Sequence, residues 1–358
     1  MFAQRLKLAR KKSGMSLQQL ADELSPRITA QAISKYETGK MMPASSVLVG
    51  LAKTLNVSLD FLMGGPVQAL EGVEFRKRSS TSAKELAKVE ALVTEMLEDY
   101  LLIENILNIT PPSPDFGAPL TQLRDMEDVE RAARDLRVQW KLGLDPIASL
   151  TALLEDRGIK VIEIDASDRV DGLSAEVTDK NGNYSHLVVV SKTTSTERKR
   201  FNLAHELAHH VIRDAVQEKL DLERAMNRFA GAFLMPAEHL IQQVGAKRSG
   251  TTYHEIMRLK TLYGVSASAM LMRLAQLKIL QQRVVDYAFR TYARSWRRQE
   301  PEPIRAGEGF AAFEKPQRFE KLVWQALGEQ LIAPVRAAQL LRQPLAAIER
   351  EIRGPRDA

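Results

Sequence analysis

Residues 198–212 read RKRFNLAHELAHHVI, and this run decides how the centre of the chain folds. In a helix, His205 and His209 lie one turn apart on the same face, so both imidazoles can hold one Zn²⁺. Glu206, next in the chain to His205, is placed to take a proton from an attacking water. His210 points about 100° away from His209 and belongs to packing or to the layer behind the ligands. With six His in 358 residues, the motif arises by chance in roughly one chain in a hundred of this composition. The alternative is a pair of buried, hydrogen-bonded histidines.

A tetrahedral catalytic zinc needs a third protein ligand. The chain has no Cys, which excludes a disulfide scaffold, a thiolate site and a thiol nucleophile, and leaves Glu, Asp or a distant His for that position. The next helical stretch, LDLERAMNRFAGAFLMP at 220–236, supplies Glu223. It shares a stripe with Met226, Ala230 and Phe233, so its carboxylate is expected on the apolar, inward side, where a metal would compensate the charge. Asp221, Arg224 and Arg228 are expected to look outward. The alternative for Glu223 is a buried ion pair.

Outward from this centre, IKVIEI at 159–164 and SHLVVV at 185–190 have strand character, with Asn181-Gly182-Asn183 as a tight turn before the second. Asp125 to Trp140 has helical periodicity, Pro111-Pro112-Ser113-Pro114 is a loop, and everything after Ser195 is mainly helical. The expected fold class is mainly α with a small β-sheet, an α+β arrangement. No Gly-rich phosphate loop and no internal repeat is apparent.

The blocks DVERAARDLRVQWKLGLDPIASLTALLEDRGIKVIEI (128–164), DGLSAEV (171–177), LVVVSK (187–192), RKRFNLAHELAHHVI and ERAMNRFAGAFLMP (223–236) resemble the ImmA/IrrE family of zinc endopeptidases. The resemblance covers about residues 120–245. It implies a zincin-like domain with His205 and His209 as ligands, Glu206 as general base and Glu223 as third ligand. Ala208 and Met226 stand where Gly and Ala are common in the family, and neither change removes a chemical group.

Charge directs the reading of the N-terminus. The whole chain carries +6, and residues 1–65 carry +5 of it, with nine Lys/Arg against four acids. Such a local cluster suits a polyanion partner. Within this segment Ser16 can cap a helix whose inner face is Leu20, Ala21 and Leu24, and Thr29 can cap TAQAISKYETGK at 29–40, where Ile33 and Tyr36 face inward and Gly39 ends the helix. Gln31 and Lys35 share its outward face at i, i+4. Gln pairs with adenine and Lys with guanine in the major groove, so this face has the chemistry of a recognition helix. The alternative is a helical hairpin with a solvated polar face.

LARKKSGMSLQQLADEL (8–24), AISKYETGK (32–40) and PASSVLVGLAKTLNVSLDFLM (43–63) resemble the XRE, phage-repressor-like helix-turn-helix family over about residues 3–63. The resemblance implies that Ala30, Gln31 and Lys35 approach bases, that Ser34 and Lys40 approach phosphates, and that Arg10 pairs with Glu37. Leu17 stands where many members have a Gln, and SPRI at 25–28 lengthens the turn between the helices. The two resemblances together imply a bacterial or phage regulator. Its partners would be a double-stranded DNA operator and a protein that is either cleaved or bound, such as a repressor or toxin. The competing class is a non-enzymatic antitoxin or repressor whose zinc domain binds a partner or senses a ligand.

Gly64-Gly65-Pro66 closes the first segment. From Ser82 a long helix sets Leu86, Val89, Val93, Met96, Tyr100, Ile103 and Leu107 at alternating steps of three and four. That face is either a dimer seam or a face packed on its own chain. Farther on, Arg290, Arg294, Arg297 and Arg298 form a basic stripe expected on one helix, either a solvated face or an auxiliary nucleic-acid or partner contact. EQLIAPVRAAQLLRQPLAAIERE at 329–351 has the pattern of a helical hairpin.

The organisation expected is therefore a helix-turn-helix domain at 1–65, a linker and connector helix at 66–119, a zinc peptidase-like domain at 120–245 and a helical extension at 246–358. Its 44% hydrophobic and 27% charged residues suffice for two or three packed domains. No apolar run approaches the roughly 20 residues of a membrane span, and MFAQRLKLARKK is charged from Arg5 onward, so a soluble, cytoplasmic protein is expected, and the heptad series from Leu86 to Leu107 suggests a homodimer matched to two half-sites.

Overall fold

The computed structural model describes residues 2–57, 59–63, 67–77, 83–110, 112–117, 122–165, 170–179 and 184–354. The turns expected at Gly64-Gly65-Pro66 and Asn181-Gly182-Asn183, Pro111 of the loop, and the side chain of Leu86 lie outside the described residues. The chain divides into two compact units. One takes Met1–Pro112, Ala175–Ser185 and Gln317–Ala358, the other Ser113–Ser174 and His186–Pro316.

The first unit opens with α1 (Phe2–Ser13), α2 (Leu17–Glu23), α3 (Ala30–Glu37), α4 (Ser45–Leu55) and α5 (Leu59–Met63). Local chemistry sets these boundaries. Ser16 caps α2 in a reciprocal box with Gln19, the Thr29 side chain accepts from the Ala32 N–H, and Asn56 ends α4 in the left-handed conformation. Leu6, Leu20, Leu24, Ile33, Leu51 and Leu55 are fully buried between them. Gly50 on α4 is a place where only glycine fits, because a Cβ there would stand 2.4 Å from the Ser25 carbonyl oxygen.

Strand β1 (Val67–Lys77) and helix α6 (Ala83–Ile106) follow. The apolar series on α6 is used inside this unit. Val93, Tyr100 and Ile103 are buried, Ala91 joins the core of α1–α5, and the Arg5 guanidinium of α1 donates to Glu98 at 2.5 Å. Among the described residues of this face Val89, Val93, Tyr100 and Ile103 are buried within the unit and Met96 and Leu107 are half-buried, which favours the alternative of a face packed on its own chain.

The second unit contains α7 (Met126–Gln139), capped by Asp125, then α8 (Leu150–Asp156), β2 (Lys160–Ile164), β3 (Val170–Asp179, shared in part with the first unit), β4 (Tyr184–Ser191) and α9 (Thr196–Ile212). After a 3₁₀ turn at Arg213–Ala215 come α10 (Leu222–Leu234), α11 (Ala237–Val244), α12 (Tyr253–Tyr263), α13 (Ala267–Gln276), α14 (Gln282–Arg290) and α15 (Phe310–Phe313). Strand order is β1-β3-β4-β2, and β2 runs parallel to β4 with Val161 opposite Val188 and Ile162 opposite Val189. The chain returns to the first unit as α16 (Arg318–Gly328), α17 (Pro334–Leu341) and α18 (Leu345–Arg353), where Leu322, Val323 and Ala326 pack with Tyr100 and Ile103 of α6.

Helix α9 is the centre of the second unit. Leu203, Ala204, Leu207 and Ala208 pack in one core with Met226, Phe229, Ala230 and Phe233 of α10. Each buried Leu, Met or Phe there contributes up to about 1.5–3 kcal/mol relative to exposure, which holds the two helices in fixed register. The small residues Ala204 and Ala208 allow the close approach. That register places the histidines.

Candidate metal centre and DNA-reading helix

His205 and His209 project from α9 one turn apart, their Nε2 atoms 3.3 Å from each other. Glu223, in the first turn of α10, brings Oε2 to 3.6 Å from His205 Nε2, and one ligand atom from each of the three residues falls within 4.8 Å of the others. A tetrahedral zinc with bonds of about 2.0–2.1 Å separates its ligands by about 3.3–3.5 Å, so the donor set and spacing fit that ion. Glu223 differs from expectation in one respect. Its side chain is 58% exposed while that of His205 is fully buried, because α10 begins there and its first turn lies at the rim of the helix pair rather than between the helices. Arg228 differs too: it is turned in, with Nε 2.6 Å from Glu130 Oε2.

The spacing i, i+4 from Glu223 leads to a residue missed in the sequence. Asn227 Oδ1 lies 3.2 Å from His205 Nδ1, and Asn227 Nδ2 donates to the Glu223 carbonyl at 2.8 Å. An oxygen acceptor at Nδ1 keeps the ring proton there and directs the Nε2 lone pair toward His209 and Glu223. Glu206 is 1% exposed, on the same helix as both histidines. His210 turns away as expected, toward β4. Its Nε2 donates to the Leu187 carbonyl at 3.3 Å, its Nδ1 lies 3.2 Å from His186 Nδ1, and Phe116 stacks on its ring.

In the first unit, α3 presents Gln31 and Lys35 to solvent and buries Ile33 and Tyr36. Ala30 and Ser34 are half-buried, Ala30 against the core, and Lys40 is exposed just past the helix end. The Arg10 guanidinium grips the Glu37 carboxylate at 2.6 and 2.8 Å and donates to the Met15 carbonyl at 2.9 Å, so α1 is tied to the C-terminal turn of α3. The Glu37 contact raises the Arg10 pKa above its ordinary value. Leu17 is half-buried and packs against the core.

Two family models match at these two places: Helix-turn-helix over residues 6–62, and IrrE N-terminal-like domain, of the M78 peptidases, over residues 154–275. The chain joins an XRE-type helix-turn-helix to an IrrE/ImmA-like domain. A SPbeta prophage-derived HTH-type transcriptional regulator of Bacillus subtilis (strain 168), YonR, is 46% identical over 65 residues, which are 18% of this chain and 58% of that protein. A second HTH-type transcriptional regulator of the same strain, YqaE, is 38% identical over 65 residues, 18% of this chain and 54% of that one. The chain thus spans just over half the length of these relatives. A Mycobacterium tuberculosis transcriptional regulator of known structure is similar at 17% identity and a TM-score of 0.30, over 49% of this chain and 51% of that one. That likeness is too loose to bear on the fold. Among the described residues, no helix is long and apolar enough to cross a membrane.

Proposed function

We propose that this chain is a cytoplasmic transcriptional regulator whose helix-turn-helix binds a palindromic operator as a homodimer and whose IrrE-like domain is a zinc endopeptidase acting on a regulatory protein. One observation carries the enzymatic part: two imidazole Nε2 atoms 3.3 Å apart on one helix, with a third, anionic donor 3.6 Å from the first and Glu206 on that same helix. His205, His209 and Glu223 would hold the ion. A bound zinc would supply Lewis-acid polarisation of a scissile peptide carbonyl. Glu206 would accept a proton from the attacking water and deliver it to the leaving amine, and Asn227 would keep the His205 ring in the orientation binding needs.

The test separates ligand from base. Zinc content by mass spectrometry should be stoichiometric in the parent and in Glu206→Gln, and lost in His209→Ala and Glu223→Ala. Transcription from the protein's own promoter, followed in the same variants, should lose its response in Glu206→Gln if cleavage drives regulation. Stoichiometric zinc in Glu223→Ala removes the third-ligand assignment. A Glu206→Gln protein that regulates like the parent moves the domain to the class of binding modules, and an apo parent that no added zinc can load does the same.

A further inference from the structure

Residues 281–299 hold five arginines, Arg283, Arg290, Arg294, Arg297 and Arg298, against one acid, Asp286. With this run and the helix-turn-helix segment both set aside, the rest of the chain is net negative, so this is a second, separate concentration of positive charge. All five arginines are exposed, and among the described residues none of them makes an ion pair. Asp286 is occupied locally, accepting from Gln282 Nε2 at 2.8 Å. Solvated surfaces ordinarily intersperse both signs, because unrelieved like charge repels itself. Five exposed guanidinium groups beside a single carboxylate leave this run with a net charge that suits an external anion.

The backbone shapes this run into a patch. The expected single helix stops at Arg290, where α14 ends, and residues 291–298 continue as successive turns. The turns fold back, so that the Arg297 guanidinium lies over the Phe289 ring at 4.5 Å. Arg198, exposed in the first turn of α9, donates to the Arg297 carbonyl and adds a sixth cation. Tyr287 and Tyr292 are 60% and 47% exposed among them, offering hydroxyl donors of the kind that contact phosphate oxygens.

We propose that this patch is a second duplex-DNA contact of the protein, one that grips the phosphate backbone without reading bases. Six guanidinium groups and two phenols suit a regularly spaced polyanion, and they are spread over the first turn of α9, α14 and the turns after it rather than set along one helix face that could enter a groove and read bases. Duplex DNA is favoured over other polyanions because the same chain carries a helix-turn-helix. Once that domain is bound, a second contact on the tethered chain acts at high effective concentration. The inference rests on the reading that the N-terminal domain binds DNA, and the experiment keeps the two apart.

The full-length protein is titrated with a long random-sequence duplex over a series of salt concentrations. The parent is compared with Arg290→Gln/Arg294→Gln/Arg298→Gln, with the matching triple Lys variant, and with Lys40→Ala, each checked for an unchanged melting curve. The Gln variant should bind more weakly, with a salt dependence shallower by about 0.9 for every phosphate it no longer neutralises, and the Lys variant should recover most of the slope. A Gln variant with the parent's affinity and slope, beside a weakened Lys40→Ala, overturns the proposal and leaves the DNA reading standing. The reverse pattern upholds the patch and removes the helix-turn-helix assignment. A Gln variant that keeps duplex binding but loses binding to polyglutamate overturns it in favour of an acidic protein partner. A parent that binds no duplex at low salt ends both.

Discussion

Asn227 Oδ1 stands 3.2 Å from His205 Nδ1 while its Nδ2 donates to the Glu223 carbonyl at 2.8 Å, so one amide ties the first turn of α10 to the histidine of α9. Asn227→Ala should leave all three candidate ligands in place and still weaken zinc binding about 10–100-fold, the usual effect of losing such a partner. Competition with a chromogenic chelator measures it. Unchanged affinity would show that helix packing alone sets the ring.

On α3 the reading face and the fold are carried by different residues. Gln31→Ala should relax base preference at one operator position by about 1–3 kcal/mol with no loss of stability. Glu37→Ala leaves the part-buried Arg10 guanidinium without its carboxylate, and should lower stability by about 1–3 kcal/mol with base preference intact. Binding to a library of operator variants, beside thermal melts, distinguishes the two.

Glu130 on α7 accepts from Arg273 Nη1 at 2.8 Å, while its Oε2 is 2.6 Å from Arg228 Nε. Burial pushes its carboxyl pKa up, but the two guanidinium groups overcome this and hold it below the ordinary value of 4.5. A depressed folded pKa means that the stabilisation is complete above the unfolded value and lost as pH falls through the folded one. Glu130→Gln strands the buried Arg273, and should cost about 3 kcal/mol at neutral pH. The gap between parent and variant melting temperatures should close on acidification below 4.5; a gap independent of pH would mean that the loss is one of packing.

Val93→Glu/Tyr100→Glu places two charges in the interior of the first unit, where both parent side chains are at most 2% exposed. The expected outcome is loss of cooperative unfolding for that unit. A well-folded variant that light scattering finds reduced to half the parent's mass would return the face to a dimer seam.

What could be read from the residues was local. Ser16, Thr29 and Asp125 announce helix starts by their own hydrogen-bonding chemistry, and His205, Glu206 and His209 announce a site because one helical turn is a fixed distance. The Arg10–Glu37 pair needed family resemblance, since 27 residues separate the partners. Strands β1 and β3 were missed because VQALEGVEFRK and VDGLSAEVTD mix charge and glycine into a weak alternation, and strand pairing rather than intrinsic preference makes them strands. The seating of Leu322 and Val323 with Tyr100 and Ile103 joins residues more than two hundred positions apart, a relationship no local pattern encodes. Glu223 was placed by its stripe, and stripe arguments fail at a helix's first turn, where there is no preceding turn to cover the side chain.

That exposed glutamate gives the centre a front and a back. His205 is wholly enclosed, His209 is 9% exposed, and the packed faces of α9 and α10 close off everything behind them. Among the described residues of the centre the Glu223 carboxylate is the most open to solvent, so an ion, a water molecule or a peptide chain that reaches the histidines on that side meets it first. The residue that would complete the coordination therefore also stands at the solvent side of the centre, so a change at position 223 would alter what meets an arriving ligand as well as the charge inside.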